Sequence, residues 1–168
     1  MDALPALVPV SEAYASLPIA DAFTWQDASR DLGDGEWYLV AFRSVRRSGA
    51  DEVRLNAFDD LAHQEAAGAP GFVHYFKGPA AGDGSCLSFC LWQSRAEARS
   101  AAAGSAHREA VTLLHEMYES YALEFHRVWR DAGGPLMFEP YDRPQQAPVE
   151  PSTEVRAPGL VVRPAAAF

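Results

Sequence analysis

The sequence predicts an α+β fold in which four antiparallel strands and two helices follow one another in the order β-α-β-β-α-β. Three observations carry this. Four runs rich in β-branched and aromatic residues lie at Trp37–Arg46, Gly71–Lys77, Ser85–Trp92 and Tyr121–Arg130. Two capped stretches with helical patterning separate the first run from the second and the third from the fourth. The second and third runs are joined only by a glycine-containing loop, Gly78–Gly84. This order builds the ferredoxin-like arrangement, a four-stranded antiparallel sheet with both helices on one face.

Taken in turn, residues 1–35 form an N-terminal extension with Pro5, Pro9 and Pro18, and a short helix is expected over Asp21–Leu32, ended by Gly33. Residues 36–130 form the ferredoxin-like domain. Its first strand reads WYLVAFRSVR and is apolar on both sides in its first half. SGADE then opens a helix, with Ser48 or Asp51 as cap and Leu55, Phe58, Leu61 and Ala62 as its apolar stripe. Gly68–Gly71 stops it. GFVHYFK and SCLSFCLW are the next two strands. Ser94 and Glu97 form an S-x-x-E capping box that launches the second helix. Gly104-Ser105 interrupts that helix, and it resumes over Ala106–Glu119. Tyr121–Arg130 is the fourth strand. Seven of the 12 prolines lie between Pro135 and Pro164, so residues 131–168 read as an extended Pro-rich tail, with Met137, Phe138 and Tyr141 available to pin its start.

An antiparallel sheet with one wet face alternates apolar and polar residues. These strands do not. Trp37, Leu39 and Ala41 oppose Tyr38, Val40 and Phe42, and Leu87, Phe89 and Leu91 oppose Cys86, Cys90 and Trp92. The face without helices therefore needs a cover. The simplest cover is the same face of a second subunit, which predicts a homodimer whose sheets stack into a barrel.

Composition narrows the partners. The chain has 168 residues with a formal net charge of −9, and a sequence pI of about 4.9. Such a balance repels phosphate backbones and anionic lipid, which disfavours nucleic acid and membrane surfaces as partners. The N-terminus lacks the basic and apolar regions of a signal peptide, and no apolar run approaches the ~18 residues of a membrane span. Cys86 and Cys90 share a strand face but stand about 13 Å apart at ~3.3 Å per residue, beyond the ~7 Å that a disulfide bridges. Free thiols fit a cytoplasmic protein. Abundant Ala and a single Lys, Lys77, fit a GC-rich bacterial genome.

The element order, the GFVHYF strand after a Pro-Gly stop, the strand ending in Trp92 before a capped helix (CLWQSRAEA), and His107 where the broken helix resumes resemble the dimeric α/β-barrel superfamily. Within it, the chain is most similar to the antibiotic-biosynthesis-monooxygenase-like group, over about residues 36–130. The resemblance implies the fold, the dimer, and a pocket between sheet and helices. Members include cofactor-free oxygenases acting on phenolic polyketides, haem-degrading monooxygenases, isomerases, cyclases, and proteins with no known chemistry. The haem-degrading members carry a His on the second helix, a Trp about three turns before it and an Asn on the first strand. His107 matches the first of these. Glu97 stands where the Trp would be, and WYLVAFRSV has no Asn.

The expected function is therefore a monooxygenase-like or isomerase-like enzyme acting on an aromatic or polyketide-type molecule. The alternative is a non-catalytic homodimer that binds haem or another hydrophobic ligand. Tyr38, Phe42, Tyr75, Phe89 and Trp92 are dense enough to line a site for a flat ligand. His107, His74 and Tyr75 are the candidate catalytic groups, with His126 also available, and His107 and Trp92 are the candidate cofactor contacts. His107 begins a helical segment whose free N–H groups disfavour imidazolium, so it can accept a proton or ligate haem iron. His115 lies two turns on, and either histidine can point to the sheet. His74 and Tyr75 point to opposite sides of their strand. No metal-ligand, P-loop, nucleophile-elbow or dinucleotide pattern is present. Glu124, a carboxylate in an apolar strand, is expected to pair with Arg43 or Arg127.

Overall fold

The computed structural model describes residues 4–141 and 145–146. Its body is β1 (Gly35–Arg46), α2 (Glu52–Ala67), β2 (Phe72–Phe76), β3 (Ser85–Trp92), α3 (Arg95–Ala102), α4 (Ser105–Thr112), α5 (Leu114–Met117) and β4 (Tyr118–Arg130), preceded by one helical turn, α1 (Trp25–Ala28). The strands lie in the order β2-β3-β1-β4, all antiparallel, which is the ferredoxin-like topology. Two further short strands, β5 (Met137–Pro140) and β6 (Gln145–Gln146), extend the sheet beyond the expected four by pairing with β4. The remainder of the expected Pro-rich tail, residues 142–144 and 147–168, lies outside the described residues. No helix is long and apolar enough to cross a membrane among the described residues.

The caps behave as the sequence indicates. Asp51 accepts the amide of Arg54 at 3.0 Å and starts α2. Ser94 accepts the amide of Glu97 at 3.3 Å, and its hydroxyl donates to the Glu97 carboxylate at 2.8 Å. Two expected helices are shorter. Asp21–Leu32 contains only α1, flanked by 3-10 turns at Ile19–Asp21 and Ser29–Asp31. The reason is tertiary: the Trp25 indole donates to the Ile19 carbonyl at 2.8 Å, which folds the segment back on itself. The helix expected over Ala106–Glu119 stops at Thr112, makes one more turn, and yields to β4 at Tyr118. Leu113 and Met117 are anchored against Leu55 of α2, and Tyr118 already pairs with Arg46 of β1.

The two sheet faces are covered differently. Leu39 and Ala41 of β1, Leu87, Phe89 and Leu91 of β3 and Val128 of β4 share one face and one core cluster. Residues 4–34 complete that cluster with Leu4, Leu7, Tyr14, Ile19, Phe23 and Trp25, all buried. Phe23 meets Phe76 and Phe89 at ring distances of 4.8 and 5.2 Å, and Trp25 meets Phe89 and Phe138 at 5.0 and 5.1 Å. The extension is thus a cap on the sheet. The face from which the homodimer was expected is covered within a single chain. Gly78 shows how closely cap and sheet approach, since a Cβ there would collide with the Leu87 carbonyl and the Tyr14 hydroxyl.

The opposite face carries the helices. α2 and α4 pack on one another, α2 lies against β2, and α3 reaches β1 and β3. Tyr38, Trp92 and Ala98 form the buried centre of this side, with Phe72, Val40 and Phe125 half-buried around it.

Candidate functional site

The helix-side face presents Tyr38, Val40 and Phe42 from β1, and register places Phe125 opposite Val40 and Leu123 opposite Phe42 on β4. All but Tyr38 are only half-buried. The rings gather at two ends. Tyr38 stacks near Phe125, with centroids 6.1 Å apart and planes 11° apart, and meets the edge of Tyr141 at 5.2 Å. Arg95 at the start of α3 lies over the Tyr141 ring, 5.0 Å from its centre. At the other end Phe42 contacts Tyr118 at 5.3 Å and Tyr121 at 5.8 Å, and the His115 ring lies 6.4 Å from Tyr121. Burial pushes the Tyr118 phenol up to about 12, so it stays neutral and able to donate at physiological pH. Tyr38 and Phe42 are about 13 Å apart along the strand at ~3.3 Å per residue, a span for several fused rings.

The expected site residues divide between places. Trp92 and Tyr75 are on the helix side. Trp92 is buried against Phe72, at 5.4 Å edge to face, and forms an inner wall rather than an open surface. Tyr75 lies under α2, its hydroxyl donating to Asp59 at 2.6 Å, and Lys77 holds the same carboxylate at 2.9 Å. Burial, then the Asp59 charge, drives the Tyr75 phenol far above its ordinary value. His74 is on the other face, buried beneath the cap and tilted against Phe89 at 5.7 Å. Phe89 is on that face too.

His107 sits on the exposed side of α4. The free N–H groups of this helix start are met by a carboxylate of the chain itself. Glu65 of α2 accepts from the amides of Ser105, Ala106 and His107 at 3.0, 3.0 and 3.2 Å, and from the Ser105 hydroxyl at 3.1 Å. These donors, that of His107 foremost, hold the Glu65 carboxyl below its ordinary value. A Cβ at Gly104 would meet that carboxylate and the Ala101 carbonyl, so a side chain there would push Glu65 away from the amides. Loss of hydration lowers the His107 imidazole, with Glu65 opposing. Of the two histidines on the second helical region, His115 is the one whose ring reaches a strand aromatic.

Two further features lie away from the strip. Open clefts of about 540 Å³ and 380 Å³ lie at the cap edge, along Pro9, Tyr14 and Pro79–Gly82, and between α2 and α3, along Glu65, Glu97 and Ser100. Beneath the cap, Glu124 is held by Arg43, whose Nε donates at 2.7 Å, and lies 3.5 Å from His126. His126 and Arg43 hold its carboxyl down at about 2, Arg43 being the nearer. The pairing of Glu124 with Arg43 is as expected from the sequence. Cys86 and Cys90 are free, and burial pushes the Cys90 thiol up to about 12, which makes it inert. No group of three or more His, Cys, Asp or Glu is placed to hold a metal ion among the described residues.

A model of the PB2B2.08-like family matches residues 1–138, cap included. No curated protein matches the chain. Among solved structures it is similar to SnoaB, a cofactor-independent oxygenase from Streptomyces nogalater, at 18% identity over 59% of this chain and 95% of that one, with a TM-score of 0.44. It is also similar to a dimeric ferredoxin-like protein of unknown function from Thermobifida fusca, at 14% identity over 54% of this chain and 90% of that one, with a TM-score of 0.45. A third, from Chloroflexus aurantiacus and named for antibiotic biosynthesis monooxygenases, has 14% identity over 58% of this chain and 96% of that one, with a TM-score of 0.43.

Proposed function

The chain belongs to the PB2B2.08-like family, and from that footing we propose that it binds a flat, hydroxylated aromatic molecule along the helix-side strip and acts on it as a cofactor-independent, monooxygenase-like enzyme. The observation that supports this reading is the run of half-buried rings Phe42, Tyr121 and Phe125, which the helix layer does not seal and which the buried Tyr38 closes at one end. Aromatic faces left partly wet gain by stacking on a ligand ring. In the reaction the substrate supplies the electrons. A base removes a benzylic or phenolic proton, the resulting anion reduces O2, and a CH2 group becomes C=O with one water released. His115 is the base nearest the strip, and Arg95 is the cation placed to hold the oxyanion. His107 and His74, expected from the sequence to act, stand on the outer helix surface and beneath the cap.

The test is titration with a hydroxylated anthrone in air, followed by tryptophan fluorescence and an oxygen electrode, with no added metal or cofactor. Saturable quenching with stoichiometric O2 uptake is the expected result. Quenching without O2 uptake makes the chain a binding protein, with haem the next ligand to titrate. No quenching removes the strip as a site.

A further inference from the structure

Taking the strip as the ligand site, on which this inference rests, we propose that Tyr141, backed by Arg95, is its end stop and fixes how many fused rings a ligand can carry. Pro140 closes β5 opposite His126, and the next amide, that of Tyr141, donates to the Phe125 carbonyl at 2.7 Å. This holds the Tyr141 backbone beside β4. Its ring leans across β4 and meets Tyr38 of β1 at 5.2 Å, with the planes 88° apart. Tyr38 in turn is nearly parallel to Phe125, at 11°. A flat ligand lying on Phe125 and reaching toward Tyr38 therefore runs into a ring that stands across its plane. Arg95 lies over the Tyr141 ring, 5.0 Å from its centre, and ties it to the helix layer through α3. The sheet edge and the helix layer thus join above Tyr38, which is 5% exposed, while Phe42, Tyr121 and Phe125 stay half-buried.

Past the stop the surface changes character. The next β4 residue on this face is Arg127, which pairs in register with Tyr38 on one side and Glu139 on the other. Its guanidinium binds Glu36 at 2.6 Å and lies over the Trp129 ring, 4.9 Å from its centre. An apolar ring pushed beyond Tyr141 would meet an ion pair, and the Trp129 ring already carries Arg127. Stacking surface for a ligand ends at Phe125. The open stretch from Phe125 to Tyr121 is about 13 Å at ~3.3 Å per residue, which holds about three linearly fused rings. A fourth ring projects into Tyr141.

Two ligands of different length test this: the three-ring hydroxylated anthrone and its linear four-ring homologue. Each is titrated by tryptophan quenching into the intact chain, Tyr141→Ala and Tyr141→Phe. The intact chain is expected to bind the shorter ligand roughly tenfold more tightly, since a fixed wall rejects excess length. Tyr141→Ala is expected to bring the two affinities within about twofold of one another. Tyr141→Phe keeps the ring and is expected to keep the intact ratio. Equal affinities in the intact chain, or an unchanged ratio in Tyr141→Ala, overturn the end stop and leave the strip as a site. Binding of neither ligand by the intact chain overturns both. Tyr141 is 45% exposed, so its truncation is expected to leave the far-UV circular dichroism native. If Tyr141→Ala does not fold, Arg95→Met decides: a reduced ratio supports the stop and an unchanged one overturns it.

Discussion

The two faces of one sheet have the same kind of residue and opposite fates. The cap side is dry: Leu39, Leu87, Phe89 and Leu91 are each no more than 1% exposed, and the charges there are paired. The helix side is sealed only over β3 and part of β1, and its rings from β1 and β4 remain half-buried. A strand pattern that is apolar on both sides thus says that both faces need contact. It does not say whether the contact is the chain's own segment, a helix, a second copy or a ligand.

The largest effect that separates the faces is core truncation. Phe89→Ala, on the capped face, is expected to cost about 3–5 kcal/mol in urea unfolding, the range for a fully buried aromatic. Phe42→Ala, on the helix face, should cost less than half as much. Equal costs would break the comparison.

Acid sharpens it next. The Glu124 carboxyl lies at about 2 in the folded chain, below its ordinary value of 4.5. A lowered carboxyl stabilises the fold fully above the unfolded value and ceases to do so as pH falls through the folded one. Discounted for solvent screening of a half-buried group, the chain should therefore lose on the order of 1 kcal/mol between about pH 5 and pH 2 through this group. Glu124→Gln should be less stable at neutral pH and flatter through that window, as followed by Trp25 fluorescence during denaturant titrations. An unchanged acid profile in the variant would detach Glu124 from this loss.

The functional contrast is of the same order. Tyr121→Ala should weaken binding of a fused-ring ligand by roughly tenfold, about 1.4 kcal/mol, and change unfolding little. Tyr14→Ala, at the cap, should do the reverse. If both variants bind alike, the strip is not the site.

The smallest effects are at the α4 start. Glu65→Ala, which removes the acceptor of the α4 amides, should lower the urea midpoint only slightly. His107→Ala should alter stability by less than ~0.5 kcal/mol, as exposed substitutions do, and leave turnover intact. Loss of turnover in that variant would return the centre of the site to His107.

Much of this architecture could be read from local pattern. The strand runs, the Asp51 cap, the Ser94–Glu97 box and the breaks at Gly68–Gly71 and Gly104 all depend on residues within one or two turns of each other. Their signals survive in one dimension. The Glu124–Arg43 pair was legible because a carboxylate in an apolar strand has few other ways to be buried. The site was less legible. His107 carried a helix-start signal, but the anion that completes it comes from Glu65, 42 residues earlier. His115 could be named only as the alternative two turns on, since its relation to Tyr121 depends on how α5 turns into β4.

The sequence by itself determined the order of elements, the antiparallel sheet and the need to cover both of its faces, because period-two patterning and caps are short-range properties of the chain. Only the tertiary structure decided what does the covering. Residues 4–34 have no periodicity to announce a partner: Phe23, Trp25 and Ile19 are held by rings and by arginine–carbonyl bonds that join them to Phe89, Phe76, Arg43 and Arg130. Such contacts follow from where the chain is already folded, so they leave no regular trace in the sequence that makes them.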